Sequence, residues 1–227
     1  MSQGGPDWAD LFDGSGQLYP NALQTYGGLA AVFNMDERAS KGAVDSTTFT
    51  GSKNDDLHSS WQWVTGNVPA KDDLSNVYLY ATTKDNPDPM VDDMILFAGL
   101  ERIDPGGDSH VDIEINQQPI SLNPDGTFSG EKTVDDLLVV MDFKNGGDLG
   151  FVEINTWNGT QWVLKDAINN GSGEGCDGPA PDDTACAFNN DADIYSGPWP
   201  SYDRQGRILT DLPRNAFTEM VSMSPSC

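Results

Sequence analysis

The stretch Gly106–Leu122, GGDSHVDIEINQQPISL, decides the fold. In its middle His110, Asp112, Glu114 and Asn116 occupy the even positions and Val111, Ile113 and Ile115 the odd ones. Successive side chains of a β-strand point to opposite faces. One face of this segment is therefore aliphatic, and the other carries an imidazole, two carboxylates and an amide. A slip of one residue would bury four polar groups and expose three aliphatic ones. The expected arrangement puts Val111, Ile113 and Ile115 against a core and the polar row outward.

The same pattern recurs on both sides of this strand. SSWQWVTG sets Trp61 and Trp63 on one face, where both are expected in the core, and NVYLYATT alternates Val77, Leu79 and Ala81 with Tyr78 and Tyr80. MILFAGLERI and LLVVMDF are apolar on both faces, as expected of strands in the middle of a packed sheet. GFVEINTW and TQWVLKDA flank Asn158-Gly159, a hairpin signal. GRILTDL and NAFTEMVSM read as two last strands. Only Pro20 to Met35 could hold a short helix. Of the 36 acidic residues 29 are Asp and 7 are Glu, a skew toward turns and away from helix interiors. The expected fold is all-β: one antiparallel β-sandwich domain over residues 1–227, of jelly-roll type, with long Asp/Gly/Pro-rich loops.

Charge limits the partners. The 36 acidic residues face only 12 basic ones, a net charge of −24. Phosphates would be repelled, so neither nucleic acid nor an anionic membrane is expected as partner, and no run is apolar enough for membrane insertion. The start, MSQGGPDWADLF, has neither the basic residues nor the apolar run of a leader. Cys176 and Cys186 bracket the loop CDGPAPDDTAC, which lacks metal-ligand spacing and histidine. A local disulfide is the expected reading, and it indicates an extracellular or cell-surface setting. Cys227 has no evident partner.

Several segments taken together resemble one family. They are DWADLF, GSKNDDLHSSWQWVTGNVPAKDDLSNVY, LFAGLERIDPGGDSHVDIEINQQPISL, VDDLLVVMDFKNGGDLG, GEGCDGPAPDDTACAFNN, GPW and LPRNAFTEM. They are similar to the N-terminal β-domain of large secreted bacterial surface proteins, often followed by collagen-binding-B-like or prealbumin-like repeats. The resemblance covers nearly the whole chain. It implies an extracellular β-domain and no particular catalytic mechanism. Members of the family continue past NAFTE through a further strand, whereas here MVSMSPSC ends the chain, so the closing strands are expected to be cut short and to leave a sheet edge exposed.

Three groups of residues are candidates for function. The polar row His110, Asp112, Glu114 and Asn116 could bind a ligand. Its two carboxylates, about 6.5–7 Å apart at the Cα level, could also form the acid pair of a glycoside hydrolase. A solvated outer face is the plainer reading of the same row. The Asp-rich loops supply short oxygen ligands suited to calcium, with Asp55, Asp56, Asp104, Asp108, Asp191 and Asp193 as the candidate metal residues. Trp157, beside the hairpin turn, is expected to be exposed and available to stack on a sugar.

Other chemistries are excluded by what the sequence lacks. It has no nucleophile elbow, no phosphate-cradling Gly-rich loop before a helix and no His-Glu-x-x-His. Its two histidines, His58 and His110, rule out a multi-histidine metal centre. Two readings remain. One is a non-catalytic extracellular structural or adhesive module stabilised by Ca2+, with a glycan or a surface protein as partner. The other is a carbohydrate-active β-sandwich, either a glycan-binding module or a glycosidase using Asp112 and Glu114. A concave groove lined by those acids and by tryptophan would favour carbohydrate; a flat polar face would favour the structural module.

Overall fold

The computed structural model describes residues 6–36, 45–50, 54–84, 93–144, 146–169, 174–175 and 185–224. Two short helices come first, α1 (Trp8–Leu11) and α2 (Ala22–Tyr26). The strands follow as β1 (Gly28–Met35), β2 (Asp45–Thr50), β3 (Gln62–Gly66), β4 (Leu74–Lys84), β5 (Asp93–Arg102) and β6 (Ser109–Ile115). Next are β7 (Ser121–Leu122), β8 (Phe128–Ser129), β9 (Leu137–Lys144), β10 (Asp148–Trp157), β11 (Trp162–Asn169), β12 (Glu174–Gly175) and β13 (Ala185–Asn189). Four two-residue strands, β14 (Ile194–Tyr195), β15 (Ser201–Tyr202), β16 (Ile208–Leu209) and β17 (Asp211–Leu212), precede β18 (Phe217–Ser224).

The main strands form two antiparallel sheets. One has the order β1-β4-β5-β18-β13-β12 and the other β11-β10-β9-β6. Between them lies a core of Ala98, Leu100, Val139, Met141, Phe143, Leu149, Val152 and Ala187. Val111, Ile113 and Ile115 of β6 pack against it, as the alternation requires. The apolar runs expected in mid-sheet are there: β5 lies between β4 and β18, and β9 between β10 and β6. The fold is an all-β sandwich. Jelly-roll wiring does not follow from these orders, because β4–β5 and β9–β10–β11 connect as hairpins within one sheet.

A second cluster covers the other face of the six-stranded sheet. Tyr78 and Tyr80 alternate with Val77 and Leu79 along β4, so their rings point away from the sandwich core. They are buried with Trp8, Leu11, Phe12, Ala22 and Trp199. Gly99 pairs with Tyr78 across β4–β5, and any side chain there would collide with the Tyr78 ring. At one end of the core the buried Arg102 donates to Ser109 Oγ (3.1 Å) and to the carbonyls of Gly147 (3.1 Å) and Asn215 (2.5 Å), with its guanidinium 4.0 Å from the Phe143 ring centroid. Burial pulls its pKa down to about 10.

Four details differ from the sequence reading, the first being α1, a helical turn at Trp8–Leu11 outside the one segment expected to hold a helix. Pro20 to Met35 divides into α2 and β1, because Gly27 turns left-handed (φ 68°) and ends the helix. GRILTDL breaks at Thr210 into β16 and β17. NAFTEMVSM forms β18, which is an interior strand, paired with β5 on one side and β13 on the other. The Cys176–Cys186 pairing lies outside the described residues.

The facing of β6 makes a simple prediction. Ile113→Val should cost about 1 kcal/mol for the methylene lost from a packed site. Asp112→Asn, on the outer face, should change stability by less than about 0.5 kcal/mol. Urea denaturation of the two variants measures the difference, and equal effects would contradict the register.

Candidate functional site

On the outer face of β6, His110, Asp112 and Glu114 lie opposite Asp142, Val140 and Leu138 of β9. This face is not uniformly wet. His110 is exposed, with Nδ1 3.0 Å from Asp142 Oδ1, and Lys144 Nζ lies 2.5 Å from the other oxygen of the same carboxylate. Asp112 is exposed and accepts a hydrogen bond from Asn54 Nδ2 (2.8 Å). The solvated row ends there. The Glu114 side chain is only 11 % exposed, because residues 54–61 fold across it. Asn116 is half-buried and its Oδ1 accepts no hydrogen bond.

The overlying segment is held by a network that joins distant parts of the sequence. The short 3-10 turn His58–Ser60 buries His58 completely, and His58 Nε2 donates to Glu114 Oε1. Lys132, from the loop before β9, sets its ammonium 3.7 Å from Glu114 Oε2. The same ammonium donates to the carbonyls of Asn54 and Asp56 (2.7 Å to Asp56). It also lies 4.9 Å from the ring centroids of Trp61 and Trp157 and 5.2 Å from that of Trp162. Burial pulls the Lys132 pKa below the usual lysine value, against the opposing pull of Glu114, Asp55 and Asp56.

This network corrects the reading of Trp157. That residue is 2 % exposed and cannot stack on a ligand. The hairpin turn it precedes does form, with Asn158 Oδ1 accepting from the backbone N–H of Thr160 (2.9 Å) and Gln161 (3.0 Å). But the end of the hairpin docks under residues 54–61. Trp162 Nε1 donates to Asn54 O (2.7 Å), and the Trp162 ring packs 5.3 Å from that of Trp157. Trp61 and Trp63, expected in the core, are half-buried on the β2–β3 ribbon instead.

Beside the network opens a groove of about 430 Å3, lined by Phe49, Thr50, Asn54, Trp61, Asp112, Glu114 and Leu138. Phe49 is 48 % exposed and meets Trp61 edge-on at 5.1 Å. Glu114 Oε2 is buried and accepts no hydrogen bond within the chain.

No protein-family model, curated protein or solved structure matches this chain.

The expected metal residues do not converge. Among the described residues, none of Asp55, Asp56, Asp104, Asp108, Asp191 and Asp193 belongs to a group of three ligands within reach of one ion. Several hold turns or basic partners instead. Asp104 accepts from Gly106 N (3.0 Å) and Arg204 (3.4 Å), and Asp193 accepts from Arg214 N (3.2 Å). The acids that do converge are Asp36, Asp45 and Asp73, each offering an oxygen within 4.8 Å of the others. They come from the end of β1, the start of β2 and the approach to β4. Asp45 and Asp73 are 3 % and 2 % exposed. Asp45 Oδ1 accepts from Thr47 N and Thr47 Oγ1 (both 2.7 Å). Beside them is a cavity of about 430 Å3 whose wall includes Thr48, and the buried Thr48 Oγ1 has no hydrogen-bond partner.

Proposed function

We propose that the chain is a non-catalytic extracellular adhesion module that takes carbohydrate in the groove between residues 54–61 and β6. The observation that carries this reading is a shared wall of aromatic side chains and open acceptors. Phe49 and Trp61 offer ring surface to the C–H face of a sugar. Asp112 is open to solvent in the same wall and presents carboxylate oxygens to a sugar hydroxyl. The resemblance to surface-protein N-terminal domains supports the extracellular setting.

The same contacts argue against hydrolysis. A glycosidase needs one carboxyl group free to give up a proton and a second free to attack or to activate water. Glu114 is held between the His58 imidazole and the Lys132 ammonium, so its oxygens are already engaged within the chain. Its role is to fix the segment that builds the groove.

A glycan array followed by calorimetry on the best ligand tests the reading. Binding is expected, with Asp112→Ala and Phe49→Ala each weakening it about tenfold, and no reducing ends are expected to be released. Turnover abolished by Glu114→Gln would replace the adhesion reading with an enzyme. Absence of binding across the array would remove carbohydrate as the ligand.

Calcium belongs to this proposal as a stabiliser. The net charge of −24 repels itself, and Asp36, Asp45 and Asp73 present the hard oxygen donors that calcium prefers. Millimolar calcium is expected to raise Tm by more than matched ionic strength or magnesium does, and Asp45→Asn should remove the excess. Equal shifts with sodium chloride would reduce the effect to screening.

A further inference from the structure

We propose that the saccharide taken in the groove carries a free amino group, as a deacetylated hexosamine does. The inference rests on the carbohydrate reading above and narrows it to one class of sugar. It starts from the charge of the groove. Asp112 and Glu114 lie in its wall, and among the described residues that line it none is basic.

The ammonium of Lys132 is close by, but its side chain is 0 % exposed and is engaged by Glu114 and by the carbonyls of Asn54 and Asp56. A carboxylate or sulfate on a glycan cannot reach it. The segments that hold the groove bring further acids. Asp55 accepts from Trp162 N (3.4 Å), and Glu131 accepts from Ser59 N (3.2 Å). With a net charge of −24 on the whole chain, acidic polysaccharides are repelled. A sugar that brings a positive charge is drawn in.

Asp112 is the group such a sugar meets. It is exposed, and its Oδ2 accepts from Asn54 Nδ2 (2.8 Å), a bond that fixes the carboxylate at the groove wall and does not use Oδ1. A sugar ammonium has three N–H donors, and a charge-assisted bond to a carboxylate is about twice as strong as a neutral one. Thr50 and Asn54, in the same wall, add neutral oxygens for the remaining donors. The ring of Phe49, 48 % exposed, lines the same groove and takes the C–H face of the pyranose. An N-acetyl group in place of the amine has one N–H and no charge, so it forfeits the charge-assisted bond.

The test uses the whole chain and calorimetry with the trimers of glucosamine and of N-acetylglucosamine. At mildly acidic pH and low salt, where the sugar amines are protonated, the glucosamine trimer should bind about fivefold more tightly than the N-acetylated one. The preference should shrink at high salt and vanish at mildly alkaline pH, where the amines lose their charge. Asp112→Asn should bring the two trimers within about twofold of each other. The trimer of galacturonic acid should not bind. Trilysine, which has ammonium groups but no pyranose rings, should bind about tenfold more weakly than the glucosamine trimer. Equal affinity for the two sugar trimers, or for trilysine and the glucosamine trimer, would overturn the amino-sugar class. So would binding of the galacturonate trimer, or a preference that survives Asp112→Asn. If a neutral glycan binds in the groove and the glucosamine trimer binds no better, the class falls while the carbohydrate reading stands; if no glycan binds, both fall. The salt and pH comparisons need no variant, so they decide the matter even if Asp112→Asn folds poorly.

Discussion

Replacing Glu101 by leucine is expected to lower stability by about 4 kcal/mol, a large share of what holds a domain folded. The side chain lies on β5 at 0 % exposure. Its two oxygens accept from Ser75 Oγ (3.3 Å), Asn76 Nδ2 (2.7 Å), Tyr78 Oη (2.9 Å), Trp199 Nε1 (2.9 Å) and Ser201 Oγ (2.6 Å). Those donors come from β4 and from residues 199–201, so one carboxylate binds the outer aromatic layer to the sheet beneath it. Leucine fills nearly the same space but leaves five donors without an acceptor. Each orphaned buried donor costs about 1–3 kcal/mol, and the sum is reduced because removing the carboxylate also removes its own desolvation penalty. Glu101→Gln keeps one acceptor oxygen and turns an NH2 group toward donors, so its cost should be intermediate, about 2 kcal/mol. Denaturant titrations of both variants give the comparison. A leucine variant within about 1 kcal/mol of the parent would mean that the ring packing alone holds this layer.

The parts of this molecule that were legible in the sequence are those set by short-range periodicity. The alternation at 110–116 placed Ile113 in the core. The runs around Phe97 and Val139, apolar on both faces, marked mid-sheet strands, and Asn158-Gly159 marked the hairpin. In each case the signal lies within a few residues of its effect. Periodicity says which way a side chain points but not what comes to rest on it. Trp157 was therefore misread, since the turn beside it suggested exposure while residues 54–61, far away in sequence, cover it. Glu114 looked like part of a wet row for the same reason, because His58 and Lys132 carry no spacing signal that links them to it. Clustered aspartates in loops point to calcium by composition, but among the described residues none of the six belongs to a group of three possible ligands. Asp104 holds a local turn and Asp55 and Asp193 accept from distant backbone N–H groups, whereas Asp36, Asp45 and Asp73 meet because three strand ends converge. Glu101 sits in a run that reads as continuous β5 and gives no hint of the five donors gathered around it.

Lys132→Met should be nearly as damaging, at about 3 kcal/mol, and should also abolish ligand binding in the groove. The methionine keeps the apolar stem among Trp61, Trp157 and Trp162 but removes the charge. Three acceptors lose their donor or counter-charge together: the carbonyls of Asn54 and Asp56, and Glu114 Oε2. Asn54 is also the residue that reaches Asp112, so releasing residues 54–61 dismantles the groove wall. Glu114→Gln alone should cost less, about 1–2 kcal/mol, because Lys132 retains its two carbonyl acceptors and the amide oxygen can still accept from His58. The double variant separates pairing from packing. If the ammonium and carboxylate act as a pair, the combined loss falls short of the sum of the two single losses by about 1 kcal/mol or more. The pH dependence has a definite sign. Burial holds Lys132 below its ordinary value of 10.5, so the folded state gives up this proton before the unfolded state does. Folding then carries a cost while the group is protonated, and stability attributable to this lysine should rise as pH climbs from the folded pKa toward 10.5. In Lys132→Met that rise should be missing. Its persistence would assign the effect to another group, while additive single losses would mean that Lys132 holds residues 54–61 through the carbonyls and the three rings, with Glu114 free to meet a ligand.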